Sequence, residues 1–503
     1  MTQKILILSV FVVASCGLAY ELIAGALSSY LLGDSILQFS TIIGCYLFAM
    51  GVGAHLSKYV KDDEVLARFV DIELAVGLIG GVSAALLFLT FSWMTAPFRA
   101  LLYVMVFMIG ALVGMEVPLV MRALNERKTE FNELVSRVLT FDYLGALAVS
   151  LLFPLVLAPY LGLVRTGFLF GMLNVGVAFW TIYVFRAELK NLVGRTLRAS
   201  AVMGVLMFGF ALADRMTQWG EHGLFGDEIV YSTTTPYQRL VITRWKDDLR
   251  LYINGNLQFS SRDEYRYHEA LVHPVLEALP WARRVLVLGG GDGLALREIL
   301  RYPNIEQVTV VDLDPAMTGA FTTRDELVKL NGGSFRNPRA RVVNADAAQW
   351  LQKSEEMFDA VIIDFPDPSS FALGKLYSVP FYGMVKKHLA ANGLMVVQST
   401  SPFFAPHAYW TVDATLRDVG LRTHPYHAYV PSFGEWGFIL ASPQLDYRPP
   451  TSYRLPMRYL NADTTREMFI FPPDMKPLPM APNRLNTQSL VHEFEQDWRQ
   501  VIR

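Results

Sequence analysis

Cysteine is almost missing from these 503 residues: there are two, Cys16 and Cys45, and both fall in apolar stretches. That excludes a disulfide scaffold and leaves the second part of the chain without a thiol for redox, metal or nucleophilic work. Charge is also sparse. Lys, Arg, Asp and Glu make up 18% of the chain, against about 25% in a typical soluble domain. The deficit is uneven: residues 1–213 are 13% charged, whereas the rest is 22% charged. Neither sign dominates, since the net charge is −2, so no basic surface argues for DNA or RNA and no nucleic-acid partner is expected. There is no P-loop and no nucleophile elbow. His268 and His273 lack the Cys or carboxylate spacing of a zinc site, so no metal is expected. A chain of this length exceeds one ordinary core, which makes two or more domains the expectation.

What the first part has in abundance is apolar sequence, in runs near 5–32, 36–57, 72–94, 98–121, 138–160, 163–185 and 199–213. About 20 apolar residues cross the hydrocarbon core of a bilayer, and six of the runs meet that length. The seventh, ASAVMGVLMFGFALA, covers only about 22 Å at 1.5 Å per residue. The reading is a multi-span α-helical membrane domain over 1–213 with six or seven helices, its outer faces against membrane lipid, in the cell inner membrane. The first run is too long for a cleavable signal and is followed at once by a second span. Lys and Arg gather in alternate loops: Lys58, Lys61 and Arg68; Arg122, Arg127, Lys128 and Arg137; Arg186, Lys190, Arg195 and Arg198. The loops between carry none, or only Arg99 and Arg165. With Lys4 before the first span, this pattern puts the amino terminus and these cationic loops in the cytoplasm. Six spans then leave the second part cytoplasmic, and a true seventh puts it outside; a cytoplasmic catalytic domain is the expectation. Glu21 sits near the middle of the first span, where a carboxylate marks either a cation path or an inter-helix hydrogen bond. Glu116 and Asp142 lie nearer helix ends, within reach of Arg122 or Arg137, and read as structural.

After a polar linker, residues 229–280 read as a small β-hairpin subdomain with turns at Lys246-Asp247-Asp248 and Asn254-Gly255, then a connecting helix. From 281 to 442, strand, loop and helix alternate through RVLVLGGGDGLALREIL, QVTVVDLD, ARVVNAD, FDAVIIDF, GLMVVQST and WGFILAS. That pattern argues an α/β, doubly wound, largely parallel sheet, in which ligands sit at the carboxyl ends of the strands. Gly289, Gly291 and Asp292 lie in the first such end, where glycines let a ligand approach the backbone or simply close a tight turn. Asp312 ends the second strand, some 20 residues on, and suits ribose hydroxyls. Asp346 ends the third, placed for an adenine edge. No basic residue lies among these ends, which disfavours a polyphosphate ligand and favours a cationic nucleoside. Asp364 and Asp367, in IIDFPDP, close the fourth end. Singly they read as a helix cap or a turn, and together as a pair that holds and deprotonates an amine. The tail, 443–503, is Pro-rich and then helical, and packs either on the catalytic domain or on a subunit neighbour, so a homodimer is one of its two outcomes.

Taken together, RDEYRYHE (262–269), VLVLGGGDG (285–293), VDLD (311–314), IIDFPDP (362–368) and VPSFGEWGF (430–438) resemble the spermidine synthases, the polyamine aminopropyltransferases, in the branch with an amino-terminal multi-span domain. The resemblance implies a methyltransferase-like Rossmann fold and decarboxylated S-adenosylmethionine as co-substrate, with no bound cofactor. It implies Gln238 at the thioadenosine, Asp312 at the ribose, Asp346 and Ala347 at the adenine, and Gly289, Gly291 and Asp292 around the donor. It implies His268 near the amines, Tyr267, Gln258, Asp367 and Gln398 in the acceptor pocket, and Asp364 as general base, with a small diamine or polyamine as the partner molecule. Four positions depart from the family pattern: Asp312 stands for the usual Glu, Phe365-Pro366 for small hydroxyl residues, Ser369-Ser370-Phe371 for a Gly-Pro stretch, and Phe433 for a Tyr. The donor site is thus kept and the acceptor pocket is more apolar, with putrescine the default acceptor and spermidine and methylthioadenosine the products. Two alternatives stand beside this: an S-adenosylmethionine-dependent methyltransferase, and a membrane transporter or sensor with a non-catalytic polyamine-binding domain.

Overall fold

In the first part the apolar runs fold as helices, the one open-ended structure that bonds all its own backbone away from water. The computed structural model describes residues 2–32, 35–93, 95–125, 131–444 and 446–501, and the chain divides into two units, Met1–Glu228 and Ile229–Arg503. The loop at 33–34 and the segment 126–130, with Arg127 and Lys128, lie outside the described residues. The first unit contains α1 (Thr2–Leu32), α2 (Ser35–Leu56), α3 (Val65–Trp93), α4 (Thr95–Asn125), α5 (Phe131–Leu152), a π-helical continuation (Phe153–Leu161), α6 (Gly162–Val184) and α7 (Leu192–Phe225). Six stretches are long and apolar enough to cross a membrane: Ile7–Ser29, Gln38–Tyr59, Asp62–Ser92, Phe98–Leu124, Asn132–Val184 and Leu192–Thr217.

The fifth of these is two helices running in opposite directions. Ser15 Oγ donates to Gly145 O of α5, and the adjacent Cys16 Sγ lies 3.5 Å from Phe170 O of α6. Residues 25 apart in sequence therefore stand at one level of α1, so the chain reverses between them, through the π-helical turn and Gly162 at φ 75°. The short apolar run at 199–213 lies inside the 34-residue α7. At one end Arg195 bonds Ala67 O and Asp71, both at 3.0 Å, and at the other a Cβ on Gly220 would sit 2.3 Å from the Phe88 ring. Helix α7 thus runs the full height of α3. Small residues allow the tightest crossings: a Cβ on Gly53 would fall 1.9 Å from Ala111 O, and one on Gly171 2.5 Å from Gly77 O.

One expectation fails here. Arg122 does not meet Glu116; it donates to Ser57 O (3.0 Å) and Val60 O (2.7 Å) and pairs with Asp62, while Arg137 pairs with Glu133. The carbonyls at the end of α2 and its following turn present a concentrated negative end that draws the guanidinium. Glu116 is left buried, with neither carboxylate oxygen hydrogen-bonded.

The second unit opens with the antiparallel sheet β1 (Glu228–Thr234), β2 (Arg239–Trp245), β3 (Asp248–Ile253) and β4 (Asn256–Ser260), with turns at the two expected places. Asn254 and Gly255 take φ 49° and 83°, the doubly positive pair of a two-residue hairpin. After α8 (Glu264–Ala278) come β5 (Arg284–Gly289), α9 (Leu294–Ile299), β6 (Gln307–Asp312), α10 (Pro315–Thr323), α11 (Asp325–Leu330), β7 (Ala340–Asn344), α12 (Ala347–Lys353) and β8 (Phe358–Asp364). Then follow α13 (Phe371–Gly374), α14 (Val379–His388), β9 (Leu389–Gln398), α15 (Pro406–Asp418), β10 (Arg422–Val430), β11 (Gly434–Ser442), α16 (Ala462–Met468) and α17 (Ser489–Val501).

The sheet order is β10-β11-β9-β8-β5-β6-β7, with β5 to β9 parallel. It is mixed rather than parallel throughout, because β11 runs antiparallel to both β9 and β10. Strand β10 escaped the sequence reading: it carries Pro425 and three polar-faced residues before Tyr426, Ala428 and Val430 turn inward. Proline is tolerated there because an edge strand leaves ladder groups unpaired. Alternate side chains of each central strand feed two cores, Val285, Val287 and Ile362 on one face and Leu286, Leu288 and Ile363 on the other. The tail closes on its own unit: Leu490, Phe494 and Trp498 of α17 join the second core, and Asp497 caps α15 through His407 N (3.0 Å).

Candidate active site

Chain order leaves β5 toward β6 and β7, then returns on the other side through β8 and β9. The crevice lies at that switch, where Gly289 pairs with Asp364 across the β5–β8 ladder. Gly289 has φ 82°, and a Cβ there would stand 2.1 Å from Asp364 O; one on Gly291 would stand 2.5 Å from Asp312 Oδ2. The glycines therefore bring three strand ends to contact distance. Asp292 accepts from Leu294 N (2.9 Å) and Asp312 from Asp314 N (2.9 Å), and burial pushes each carboxyl up to about 6. Gln238 reaches the site from the β1–β2 turn through Asp314 Oδ2 (3.0 Å), which Thr235 also bonds.

Asp346 caps α12 through Gln349 N (3.0 Å), with Ala347 buried beside it. Its other oxygen meets Lys375 Nζ at 3.1 Å. A basic residue is thus present after all, delivered from 29 positions downstream. Against burial, the Gln349 and Lys375 hydrogen bonds hold this carboxyl below its usual range.

On the other side Tyr267 OH donates to Asp364 Oδ1 at 2.6 Å. Burial raises Asp364, opposed by the charge of His268 and by the Tyr267 bond. Asp367 accepts from Thr400 Oγ1 (3.2 Å) and, at 3.4 Å, from Gln398 Nε2, and burial pushes it up to about 7. Gln398 is oriented from both ends: its Nε2 donates to Phe365 O (2.5 Å) and Tyr377 OH (2.9 Å), and its Oε1 accepts from Trp436 Nε1 (3.2 Å). Thr400, β-branched, is held at φ 59°, a strained conformation of the kind that gathers at functional sites. Phe433 packs edge-on to Tyr267, with ring centres 6.4 Å apart. Gln258 is not brought into this network; its hydrogen bond runs to Asn256 O (3.0 Å).

Three acidic residues of RDEYRYHE act as braces. Asp263 binds Ser432 through N (2.7 Å) and Oγ (2.9 Å), anchoring the β10–β11 turn. Glu269 accepts from the backbone of Arg458, Tyr459 and Leu460. Glu264, 3% exposed, receives both Arg297 terminal nitrogens at 3.0 Å and meets His268 Nδ1 at 2.8 Å. Burial lowers His268, but the hydrogen bond to Glu264 and the charges of Glu264, Asp292 and Asp364 outweigh it and push the imidazole up to about 9. Glu264, Arg297, Tyr377, Thr400, Trp436 and Lys375 were not singled out in the sequence as members of the site. Glu264, Arg297, Thr400 and Trp436 fall within stretches the sequence reading quoted, whereas Tyr377 and Lys375 do not.

Asp367 tests the burial argument by itself. Its carboxyl, raised from the ordinary range to about 7, lowers stability as pH climbs from about 4 through 7, because the native state holds its proton longer than the unfolded chain does. Asp367→Asn is therefore expected to leave melting unchanged near pH 4 and to stabilise the protein by about 4 kcal/mol at pH 8. A thermal-melt series from pH 4 to 8 that moves in parallel for the two proteins would remove this account.

The chain matches the spermine/spermidine synthase domain family over residues 264–448. It is 67% identical over 506 residues to polyamine aminopropyltransferase 2 of Ralstonia nicotianae, covering 100% of this chain and 99% of that protein. It is 48% identical to the polyamine aminopropyltransferase of Leptospira interrogans, over 99% of this chain and 100% of that one. A solved spermidine synthase in complex with the transition-state analogue AdoDATO matches 49% of this chain and 86% of its own, at 26% identity and a TM-score of 0.46. With identity carried along the whole length, helical unit included, the chain belongs to the polyamine aminopropyltransferase family and is an enzyme of aminopropyl transfer and spermidine synthesis.

Proposed function

We propose that the enzyme transfers the aminopropyl group of decarboxylated S-adenosylmethionine to putrescine, with Asp364 as the base. The observation that supports this most is the pair Asp364 and Asp367. Both are raised by burial, both are held by neutral donors, and neither has an ion-pair partner among the described residues. Two carboxylates without an ion-pair partner, beside the single imidazolium of His268, suit an alkyl amine, which is protonated at neutral pH with a pKa of about 10. Asp364, raised toward neutrality, suits the transfer of a proton from that amine. The freed lone pair forms the new N–C bond at the propyl carbon beside the sulfonium, the C–S bond breaks, and methylthioadenosine leaves. Tyr267 orients Asp364, and the Gln398–Trp436 bond fixes the amide that faces Asp367. Asp312 for ribose, Asp346 and Ala347 for adenine, and Gly289, Gly291, Asp292 and Gln238 around the donor complete the assignment. Purified full-length protein is expected to release methylthioadenosine from the decarboxylated donor fastest with putrescine in a panel of amines, and none from S-adenosylmethionine itself. Faster release with another amine would reassign the acceptor, and no release with any amine would remove the proposal.

The helical unit is read as a membrane domain of seven crossings. The cationic loops gather at one end of the helices, and the charge rule puts that end in the cytoplasm. An odd number of crossings then carries the chain after α7 to the other side, against the cytoplasmic placement that six spans would have given. A carboxyl-terminal alkaline phosphatase fusion is expected to be active and a green fluorescent fusion dark; the reverse result would restore the six-span reading.

A further inference from the structure

Thr400, two residues past the end of β9, is held in a conformation that its own side chain opposes. It is fully buried with φ 59°, in the left-handed region that glycine or asparagine reaches far more readily than a β-branched residue. Its backbone is pinned on both sides: Thr400 N donates to Gln398 Oε1 (3.2 Å), and Thr400 O accepts from Gly437 N of β11 (2.6 Å). Strain of this kind persists only where the surrounding structure over-determines it. What the strained backbone delivers is a hydroxyl. Thr400 Oγ1 donates to Asp367 Oδ2 at 3.2 Å, the only hydrogen bond to that oxygen among the described residues, and Asp367 Oδ1 has only the longer Gln398 contact at 3.4 Å.

A carboxyl in such a place takes up a proton unless donors favour its charged form, and only the charged form attracts an ammonium group. We propose that Thr400 is a positioning residue for the amine acceptor, acting through Asp367: its hydroxyl fixes the carboxylate and so sets the affinity for the acceptor rather than for the donor. This rests on the reading of Asp367 as part of the acceptor pocket. Burial pushes Asp367 up to about 7, against the hydrogen bonds of Gln398 and Thr400. Loss of the hydroxyl therefore lets the carboxyl rise further and leaves more of it protonated at neutral pH. The other titratable groups around Asp367 are the phenols of Tyr377 and Tyr267, both pushed well above their ordinary value by burial, and Asp364, which acts on the same two phenols. The phenols stay neutral while Asp367 changes charge, and Asp364 is unaltered when Thr400 is replaced.

Steady-state release of methylthioadenosine by full-length Thr400→Val, Thr400→Ala and Thr400→Ser, with putrescine as the varied amine, tests it. Thr400→Val and Thr400→Ala, which lack the hydroxyl, should each raise KM for putrescine about tenfold. Their kcat and donor KM should stay within about twofold of wild type, the mark of binding lost equally in ground and transition states. Thr400→Ser, which keeps the hydroxyl, should behave as wild type. The KM deficit of Thr400→Val should be largest near about pH 7 and shrink toward about pH 9, where Asp367 is charged in either protein. An unchanged KM without the hydroxyl would overturn the role of Thr400. So would an equal loss in Thr400→Ser, which would assign the effect to packing of the methyl group. Thermal melting checks each fold, and Thr400→Ala, free of the β-branch, carries the test if Thr400→Val is unstable. Equilibrium binding of radiolabelled putrescine in the presence of methylthioadenosine reads the same affinity without turnover. Weaker binding to Thr400→Val than to wild type and Thr400→Ser supports the assignment even on protein that releases no methylthioadenosine, an outcome that removes only the catalytic reading. Equal binding by all four proteins overturns the assignment.

Discussion

Asp364→Asn is expected to lower kcat for aminopropyl transfer by about 10³-fold, within the 10²–10⁴ range of positioned general bases, while donor affinity changes by less than threefold. The amide keeps the shape of the carboxyl and can still accept the Tyr267 hydroxyl, so the pocket stays closed around it. What it loses is the ability to take a proton, and a protonated amine has no lone pair with which to attack. The donor is already activated by its sulfonium, so the loss falls on the chemical step. Single-turnover methylthioadenosine release, alongside equilibrium binding of the donor, separates the two effects. A variant within tenfold of wild type would show that Asp364 only holds charge and that the proton leaves by another route, with Asp367 the nearest candidate.

Glu264→Gln is expected to cost about 3–5 kcal/mol of stability, the range for breaking a buried pair from one side. Glu264 stands between Arg297 and His268, both cations at neutral pH, and its removal leaves two like charges facing across a buried amide. The pH dependence changes as well. His268 titrates at about 9, above its ordinary value, so the stability it contributes is fully present below about pH 6.5 and is lost as pH rises through 9. Without Glu264 the largest influence opposing burial is gone, and the imidazole gives up its proton at lower pH than in the wild type. Melting temperatures from pH 6 to 9.5 should then lose the alkaline decline of wild type, and the alkaline limb of the kcat/KM profile should move to lower pH. An unchanged limb would mean that His268 charge plays no part in holding Asp292 and Asp364.

Much of this site was legible because each of its carboxylates lies at or just past a strand end. Asp312, Asp346 and Asp364 needed only period and length to be placed at one edge of a sheet, and the glycine run named the strand they surround. The residues that tune them were not legible. Arg297 is an ordinary helix charge until α9 packs on α8, and Lys375 meets Asp346 only because the chain folds back after β8. Gln258 is a different case: the family pattern placed it in the pocket, and here its hydrogen bond runs to Asn256 on its own strand. Periodicity also gave no warning of β10, since an edge strand with one wet face and a proline carries little apolar signal.

The same division holds in the helical unit. Hydropathy by itself marked where helices lie, because an apolar chain has few ways to satisfy its backbone. It separated 138–160 from 163–185, but it could not tell that 199–213 belongs to a full-height helix, since that fact rests on Arg195 reaching α3. The sequence alone thus determined two units and a doubly wound sheet with carboxylates at its strand ends, all of which follow from local period and residue type. Tertiary structure alone decided which carboxylates are paired and which are left open. Charge pairing depends on distances between residues far apart in sequence, and Glu116, assigned to Arg122 from their spacing but found with neither oxygen bonded, is the clearest case.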